Sequence, residues 1–300
     1  MKSGIINVYK EKGFTSFDVV AKLKGILRER KIGHTGTLDP DAEGVLPVCV
    51  AKGTKLCALL TDQDKEYEAV LLLGQVTDTQ DCSGTILEEH PVTVSEAAVR
   101  EAVQSFVGAY DQVPPMYSAL KVNGKKLYEL ARKGVEVERA ARRVTIHSID
   151  ILSVELPRVR MRVHCSKGTY IRTLCQDIGE KLGCGGCMES LLRTRVGRFG
   201  LEEAYRLSEI EAYAKEGRAE ELILSSDQLF LDDPALSVRP ELYRFADNGN
   251  VLLPEHFTEM PGELADGQQV RVYGRNQGFT GIYEYRKSRG DFHPVNLFLE

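Results

Sequence analysis

Apolar and polar positions in the first 230 residues alternate with two different periods, which predicts a mixture of strands and helices. Ile5–Tyr9 and the nearly continuous apolar run Tyr67–Leu73 are typical of strands, and the second should be buried or central in its sheet. Ser16 has the chemistry of an N-cap for a helix whose apolar residues follow at helical spacing. These residues are Val19, Val20, Leu23, Ile26 and Leu27. Because no regular βαβ alternation follows, the pattern favours an α+β fold with a largely antiparallel sheet.

Two further strands are predicted in the middle of the chain, at Arg143–Leu152 and Arg158–Cys165. In the second, apolar residues alternate with Arg158, Arg160, Arg162 and His164. One face should therefore enter the core, and the other, basic face should point outward. The remaining predicted elements are a capping box at Thr93–Glu96 that opens a helix through Phe106, a helix between Thr169 and Gly183, a strand at Arg193–Phe199 and an acidic helix at Glu202–Glu221.

The pattern changes near Asp232-Asp233-Pro234, which predicts a boundary between two domains, 1–230 and 231–300. The second should be a small β-barrel-like domain, since short apolar segments follow at close spacing with glycines between them. They are Leu236–Val238, Val251–Leu253, Val270–Tyr273, Phe279–Tyr285 and Val295–Leu299. Within the first domain, residues 114–143 are rich in Lys, Arg and Tyr, and are predicted to form a mobile, partly helical insertion with a basic surface.

The charge of the chain is unevenly distributed. Its net charge is −5, but residues 121–200 hold 17 Lys and Arg against 8 Asp and Glu, a local excess of +9 that leaves −14 for the rest. A basic middle in an acidic protein is typical of a surface that binds a polyanion. The alternative is that these cations cover strand edges and helix ends, and composition supports both interpretations equally.

Cysteine usage and hydropathy indicate a cytoplasmic protein. The chain has seven cysteines, an odd number that favours reduced thiols over a disulfide framework. Its single CxxC motif, Cys184–Cys187, has no second pair with which to form a zinc site. The N-terminus lacks a signal-peptide core, and no apolar run approaches the roughly 18 residues that span a bilayer.

The stretch GHTGTLDP, residues 33–40, places Asp39 at the end of a polar, glycine-rich loop. A calcium-binding loop starting at Asp39 would need a bidentate Glu at its twelfth position, which is Val50 here. The chain also lacks a GxxxxGK[ST] phosphate loop and a second Asp loop like that of an aspartic protease. A turn without function stays possible. Beside a cation, however, Asp39 should stay ionised and act as a nucleophile or base.

Five segments together carry a resemblance to a known family. They are Gly33–Pro47, Lys65–Gly84, Val113–Gly134, Lys167–Leu174 and Leu191–Phe199. From Gly4 to about Phe230 the chain resembles the bacterial tRNA pseudouridine-55 synthases of the TruB family, and its tail resembles a PUA domain. The resemblance implies an isomerase without cofactor or catalytic metal. Such an enzyme breaks the N1–C1′ bond of uridine 55 in the T-loop of tRNA, turns the uracil and rejoins it through C5.

The same resemblance implies roles for individual residues. Asp39 is expected to be the catalytic nucleophile or base, and Arg172 the cation that pairs with it. Tyr67 is expected to stack on the uracil, which must first leave its base stack, and to be the candidate for removing the C5 proton. The expected substrate-binding residues are His34, Tyr170, Leu191 and Lys55, of which Lys55 would meet a phosphate. The basic insertion matches the segment that clamps the tRNA.

This chain departs from the family pattern in several places. Tyr9-Lys10-Glu11 stands where Asp-Lys-Pro is usual, and the acids Asp41 and Glu43 add negative charge beside Asp39. The tail has 7 basic and 11 acidic residues, so we expect it to contribute little affinity for RNA. The preferred hypothesis is a monomeric enzyme that binds tRNA and needs no protein partner. The alternatives are the catalytic subunit of a guide-RNA-dependent synthase, or a tRNA-binding chaperone without essential catalysis.

Overall fold

The computed structural model describes residues 1–122 and 124–298, which form eighteen strands and seven α-helices. The strands are β1 (Gly4–Lys10), β2 (Ile32–His34), β3 (Glu43–Val50), β4 (Lys65–Leu73), β5 (Gln75–Thr77), β6 (Ile86–Glu89), β7 (Gly108–Gln112), β8 (Lys121–Val122), β9 (Lys125–Lys126), β10 (Arg142–Glu155), β11 (Arg158–Cys165), β12 (Gly186–Val196), β13 (Phe199–Gly200), β14 (Leu224–Ser225), β15 (Ala235–Ser237), β16 (Gln269–Tyr273), β17 (Phe279–Arg286) and β18 (Asp291–Leu297). The helices are α1 (Ser16–Leu27), α2 (Cys57–Thr61), α3 (Glu96–Gln104), α4 (Leu127–Ala131), α5 (Ile171–Lys181), α6 (Leu207–Lys215) and α7 (Tyr243–Asp247).

A ten-stranded sheet forms the centre of the molecule. Its strand order is β14-β1-β3-β12-β4-β11-β10-β7, with β2 also paired to β3 and β13 to β12. These pairs are antiparallel except for β12 and β3, which run parallel over Leu192–Glu43 and Arg193–Gly44. The backbones of these two strands approach so closely that a β-carbon at Gly44 would collide with the Arg193 carbonyl. The predicted α+β fold with a largely antiparallel sheet is thus confirmed.

Most of the helices pack against the side of the sheet that holds its largest core clusters. Strand β4 is central, and its residues 65, 67, 69, 71 and 73 are all buried on that side. Helix α5 packs there through Ile171, Leu174, Cys175 and Ile178, as the sequence predicted. A second cluster joins α1 and α6 to β1 and β3. The described residues contain no helix long and apolar enough to cross a membrane.

Two predicted helix starts were wrong, that of α1 by one residue and that of α3, predicted to be capped by Thr93, by two. Helix α1 is capped by Thr15, which has extended backbone angles and accepts a 3.0 Å hydrogen bond from the Asp18 N–H. Ser16 is instead the first helical residue, because its hydroxyl is buried against the Asp39 loop. Helix α3 is likewise capped by Ser95, whose hydroxyl accepts from Ala98 N–H.

Two other elements differ more from prediction. Strand β12 begins at Gly186 rather than Arg193, because bulges between Met188 and Ser190 and between Arg193 and Arg195 break the alternation that marks a strand. The predicted helix at 202–221 is divided, with α6 flanked by 3₁₀ turns at Leu201–Glu203 and Ala219–Leu222.

The C-terminal segment has its own core and a four-stranded sheet in the order β15-β16-β17-β18. Strand β15 runs parallel to β16, and the ends of the sheet do not pair in the described residues, so the barrel-like closure is not confirmed. Val251–Leu253 forms only a bridge from Leu252 to Phe292. The last predicted strand ends at Leu299, which lies outside the described residues.

Candidate active site

Asp39 lies in the connection between β2 and β3, and its backbone is fixed on both sides. The preceding Leu38 is buried, and its N–H donates a 2.9 Å hydrogen bond to the Ser16 hydroxyl at the start of α1. The Ala42 N–H donates to the Asp39 carbonyl at 3.1 Å, which closes a turn over Pro40. The loop therefore presents the half-buried Asp39 side chain at a defined position.

A buried cation holds the other end of this loop. Lys10 is fully buried, and its Nζ donates to the carbonyls of Ala42 at 2.6 Å, Pro40 at 3.1 Å and Glu11 at 3.2 Å. Burial lowers the pKa of Lys10 to about 8, while the nearby carboxylate of Asp39 opposes that shift. In the sequence, Lys10 is marked only by its place in the altered motif Tyr9-Lys10-Glu11. Its inward register in β1, two residues after the buried Val8, was the available signal.

Arg172 makes a two-point contact with Asp39. Its Nε lies 3.1 Å from Oδ2, and its Nη2 donates to Oδ1 at 3.3 Å. The buried guanidinium also donates to the carbonyls of Thr79 at 3.2 Å and Tyr117 at 2.8 Å, and lies 3.6 Å from the Asp81 carboxylate. Such a fork fixes both the direction and the position of the carboxylate. The predicted pairing of Asp39 with Arg172 is present in the structure.

The electrostatics of Asp39 differ from the simple expectation. Burial raises the pKa of Asp39, Arg172 opposes this rise, and the Asp81 carboxylate adds to it. Asp41 is exposed and contributes least among these groups, while Glu43 accepts a 3.3 Å hydrogen bond from the Tyr9 hydroxyl. The two acids beside Asp39 in sequence are therefore not its main electrostatic neighbours.

Tyr67 and Arg193 form a buried pair on the neighbouring strands β4 and β12. They lie opposite each other in register, and both side chains face the core. Arg193 donates from Nε to the Val45 carbonyl at 2.7 Å and from Nη2 to the Gly36 carbonyl at 3.2 Å. Burial raises the pKa of the Tyr67 hydroxyl, and the adjacent guanidinium of Arg193 opposes that rise. Arg193 therefore connects the Asp39 loop to Tyr67, a role that sequence reasoning missed because β12 bulges immediately after it.

Three of the predicted binding residues lie close to this group. His34 ends β2, and its pKa is lowered by burial and then by Arg193. Tyr170 precedes α5 and is held by Gln112, which accepts from its N–H at 2.8 Å and donates to its carbonyl at 3.0 Å. Leu191 packs against the core cluster that contains Leu38 and Tyr67.

Lys55 has a different environment from the other predicted residues. Its Nζ donates to the Leu297 carbonyl at 2.7 Å, which joins the 3₁₀ turn Ala51–Leu56 to the C-terminal segment. Within the described residues, no hydrogen bond connects the Lys55 side chain to the Asp39 group. Its expected contact with a phosphate stays a prediction.

The basic middle of the chain consists of two surfaces with different charge balance. On the sheet face opposite Tyr67, which we call the outer face, Arg160 and Arg162 both lie 2.7 Å from Glu68. Arg158 lies 2.8 Å from Glu189 in the same way. In the insertion, six cations have no carboxylate within 4.0 Å among residues 1–122 and 124–298. They are Lys121, Lys125, Lys126, Arg132, Lys133 and Arg142. The cations of the outer face therefore have carboxylate partners, whereas those of the insertion are available to a polyanion.

Comparisons with known proteins show the family of the chain. Residues 24–171 match the TruB family pseudouridylate synthase N-terminal domain, and residues 172–232 match the tRNA pseudouridylate synthase B C-terminal domain. The chain is 58% identical to a tRNA pseudouridine synthase B of Lachnoclostridium phytofermentans, over 99% of this chain and 100% of that protein. It is 44% identical to a protein of the same name from Clostridium acetobutylicum, over 93% and 94% of the two chains.

Solved structures show the same architecture at lower identity. A chain in the structure of an H/ACA RNP bound to a substrate RNA containing 2′-deoxyuridine aligns with a TM-score of 0.72 at 24% identity. The alignment covers 99% of this chain and 85% of the other, and it supports the pseudouridine synthase fold. With the family matches and the full-length relatives, these findings lead to one conclusion: the chain belongs to the TruB family of pseudouridylate synthases.

Proposed function

We propose that the protein converts the uridine at position 55 in the T-loop of tRNA to pseudouridine, with Asp39 as nucleophile or base. The observation that carries the proposal is the two-point contact of Arg172 with Asp39, 3.1 and 3.3 Å, beside the buried Tyr67. The names of its full-length relatives, tRNA pseudouridine synthase B, support tRNA as the substrate.

The reaction is an isomerisation whose atoms balance without a second substrate. The N1–C1′ bond breaks, a C5–C1′ bond forms, C5 loses its proton and N1 gains one. Three routes lead to this product. Asp39 can attack C1′ as a nucleophile, it can drive elimination to a glycal, or it can add to C6 of the uracil. In each case Arg172 favours the carboxylate form and fixes its direction, and no resident metal or cofactor is required in this proposal.

Chemistry at C1′ requires that the uracil leave its stack, at a cost of a few kcal/mol. We infer that Tyr67 stacks on the extruded base, while Tyr170 and Leu191 line the pocket and a neutral His34 fills the space beside it. Since burial raises the pKa of Tyr67, the phenol is its resting form. Removal of the C5 proton by Tyr67 would depend on Arg193, whose charge favours the phenolate.

The insertion is the part of the chain that we assign to the RNA backbone. Its unpaired lysines would meet phosphates, and affinity should then fall steeply with salt. A phosphate contact by Lys55 would compete with its bond to the Leu297 carbonyl.

We further propose that residues 1–230 form the catalytic domain and residues 231–300 a PUA-like domain. The separate core of the C-terminal segment supports this division. Because that segment is acidic, its contribution to RNA affinity should be small. We propose a monomer that acts in the cytoplasm on tRNA without an obligatory protein partner or guide RNA.

The test uses unmodified tRNA with tritium at C5 of its uridines, incubated with the protein, chelator and no cofactor. Tritium release and one carbodiimide-dependent primer-extension stop in the T-loop are expected from the wild type. Asp39→Asn should abolish both and retain tRNA binding, whereas Asp41→Asn, a change at an exposed neighbour, should retain activity. Bound tRNA without release in the wild type would favour a chaperone or a guide-dependent subunit. Full activity of Asp39→Asn would overturn the assignment of Asp39.

A further inference from the structure

A cluster of two histidines and one carboxylate lies outside the candidate active site. Asp64, just before β4, His147 in β10 and His164 in β11 have ligand atoms that all lie within 4.8 Å of one another. His147 Nε2 is 3.1 Å from Asp64 Oδ2, and the two imidazole rings have centroids 4.7 Å apart. The described residues contain no other cluster of three such groups.

The local backbone explains why the two histidines meet. A β-bulge shifts the register between β10 and β11, since Ile146 pairs with Cys165 but Ser148 pairs with His164. His147 is the extra residue at this step, and both His147 and Ser148 are exposed. A bulge of this kind re-aims a side chain and holds it opposite a single partner residue.

The third group is fixed by a separate contact. The carbonyl of Asp64 accepts a 2.9 Å hydrogen bond from Gly197 N–H, which holds the residue at the start of β4. The neighbouring acids have partners of their own. Glu66, opposite His164 in register, lies 3.3 Å from Arg195, and Asp62 lies 2.9 Å from Lys167. Asp64 is therefore the carboxylate available to the two imidazoles.

We propose that Asp64, His147 and His164 bind one divalent transition-metal ion of the zinc class. Two imidazole nitrogens and one carboxylate oxygen are a donor set that suits zinc, with water at the fourth position. Bonds of about 2.1 Å in a tetrahedral site place donors about 3.4 Å apart. The 3.1 Å between His147 and Asp64 is near this value, and the His164 ligand atom lies within 4.8 Å of both.

The proposed metal site lies apart from the candidate active site around Asp39. His164 alternates with the buried Val163 and Cys165, so it lies on the outer face, away from Tyr67. The ligands come from positions 64, 147 and 164, which are brought together only by folding. A metal bound there would therefore stabilise the folded chain and fasten the start of β4 to β10 and β11.

The experiment titrates the metal-free protein with ZnCl₂ by calorimetry and repeats the titration with CoCl₂ by absorption spectroscopy. We expect saturable one-to-one binding, a zinc-dependent rise in Tm, and cobalt d–d bands without near-ultraviolet thiolate bands. His164→Ala and the isosteric Asp64→Asn should each weaken zinc binding by about 10-fold or more. The matched control is His90→Ala, which removes an exposed histidine 2.9 Å from Glu88 and should change nothing.

Three outcomes would overturn the proposal. The first is the absence of saturable binding below millimolar zinc. The second is binding that persists unchanged in both ligand variants while they remain folded by circular dichroism. The third is a thiolate band that is lost on Cys82→Ser, since Cys82 Sγ lies 3.6 Å from Cys187 Sγ and would then be part of the real site.

Discussion

Two irregular segments contribute to the candidate site, and they are held in opposite ways. The Asp39 loop, residues 33–44, is held by two buried cations, Lys10 and Arg193. Together they donate to three carbonyls of the loop and to one carbonyl of the following strand β3. The insertion, residues 114–143, exposes its lysines and buries few apolar side chains beyond Leu127. The two segments meet at Arg172, which contacts the carboxylate of Asp39 and the carbonyl of Tyr117.

The difference shows how one type of residue serves two purposes. A buried cation that donates to backbone carbonyls fixes a loop, because leaving those carbonyls without donors is unfavourable. An exposed cation without a carboxylate keeps its charge available to a phosphate. Bond rearrangement at C1′ needs the first arrangement, whereas recognition of an RNA backbone needs the second.

The largest expected effect is at Arg193. Arg193→Met leaves the carbonyls of Val45 and Gly36 without their donor and removes the charge beside Tyr67. We expect the free energy of unfolding to fall by about 3–5 kcal/mol, measured by urea denaturation. The control Arg195→Met removes a partly exposed pair with Glu66 and should cost less than about 1 kcal/mol. Equal losses in the two variants would contradict the anchoring role.

Lys10→Met tests the other anchor of the loop. It keeps the length of the side chain but removes three hydrogen bonds to carbonyls, which should cost about 1–3 kcal/mol. A displaced Asp39 should lower kcat for the proposed isomerisation by about 100-fold, with little change in tRNA affinity. The exposed Lys12→Met serves as control. A loss of affinity at unchanged kcat would assign Lys10 to RNA binding instead.

A smaller effect is expected when charges are removed from the insertion. The triple variant Lys121→Gln, Lys125→Gln and Lys133→Gln should weaken tRNA binding about 10-fold and reduce the salt slope by about 2. The matched triple on the outer face, Arg158→Gln, Arg160→Gln and Arg162→Gln, should leave both nearly unchanged, because those cations already have carboxylate partners. Filter binding at several salt concentrations measures this. If only the outer-face variant lost affinity and salt dependence, the RNA-binding surface would be assigned to the outer face.

The smallest effect is expected at an acid on α5 that has no cation within 4.0 Å among residues 1–122 and 124–298. Burial, with a contribution from Glu180, raises the pKa of Asp177 on α5 from 3.8 to about 6. Above pH 6 its ionisation therefore destabilises the folded state, and below pH 3.8 the carboxyl is protonated in both states. Asp177→Asn should thus raise Tm at pH 7.5 by the equivalent of about 1 kcal/mol or less, and the gain should vanish near pH 3.5. A gain that is independent of pH would exclude this cause.

The sequence predicted most of the central sheet and the pairing of Asp39 with Arg172. Strand β11 was predictable because a single face enters the core, which leaves a regular alternation. Strand β1 was predictable as a short apolar run, since both of its faces are buried. Strand β12 was predicted only in part, since its bulges interrupt that alternation. Lys10 and Arg193 were missed as anchors because their partners are backbone carbonyls, which leave no trace in the side-chain pattern.

The ion pairs of Arg160 and Arg162 with Glu68 also bear on the rate at which a polyanion reaches the protein. An outer face whose arginines are paired with carboxylates attracts an approaching nucleic acid weakly, whereas the free lysines of the insertion attract it strongly. Diffusing molecules are then steered toward one side before any specific contact forms. Reducing the free positive charge of one surface thereby increases the fraction of encounters that begin in a productive orientation.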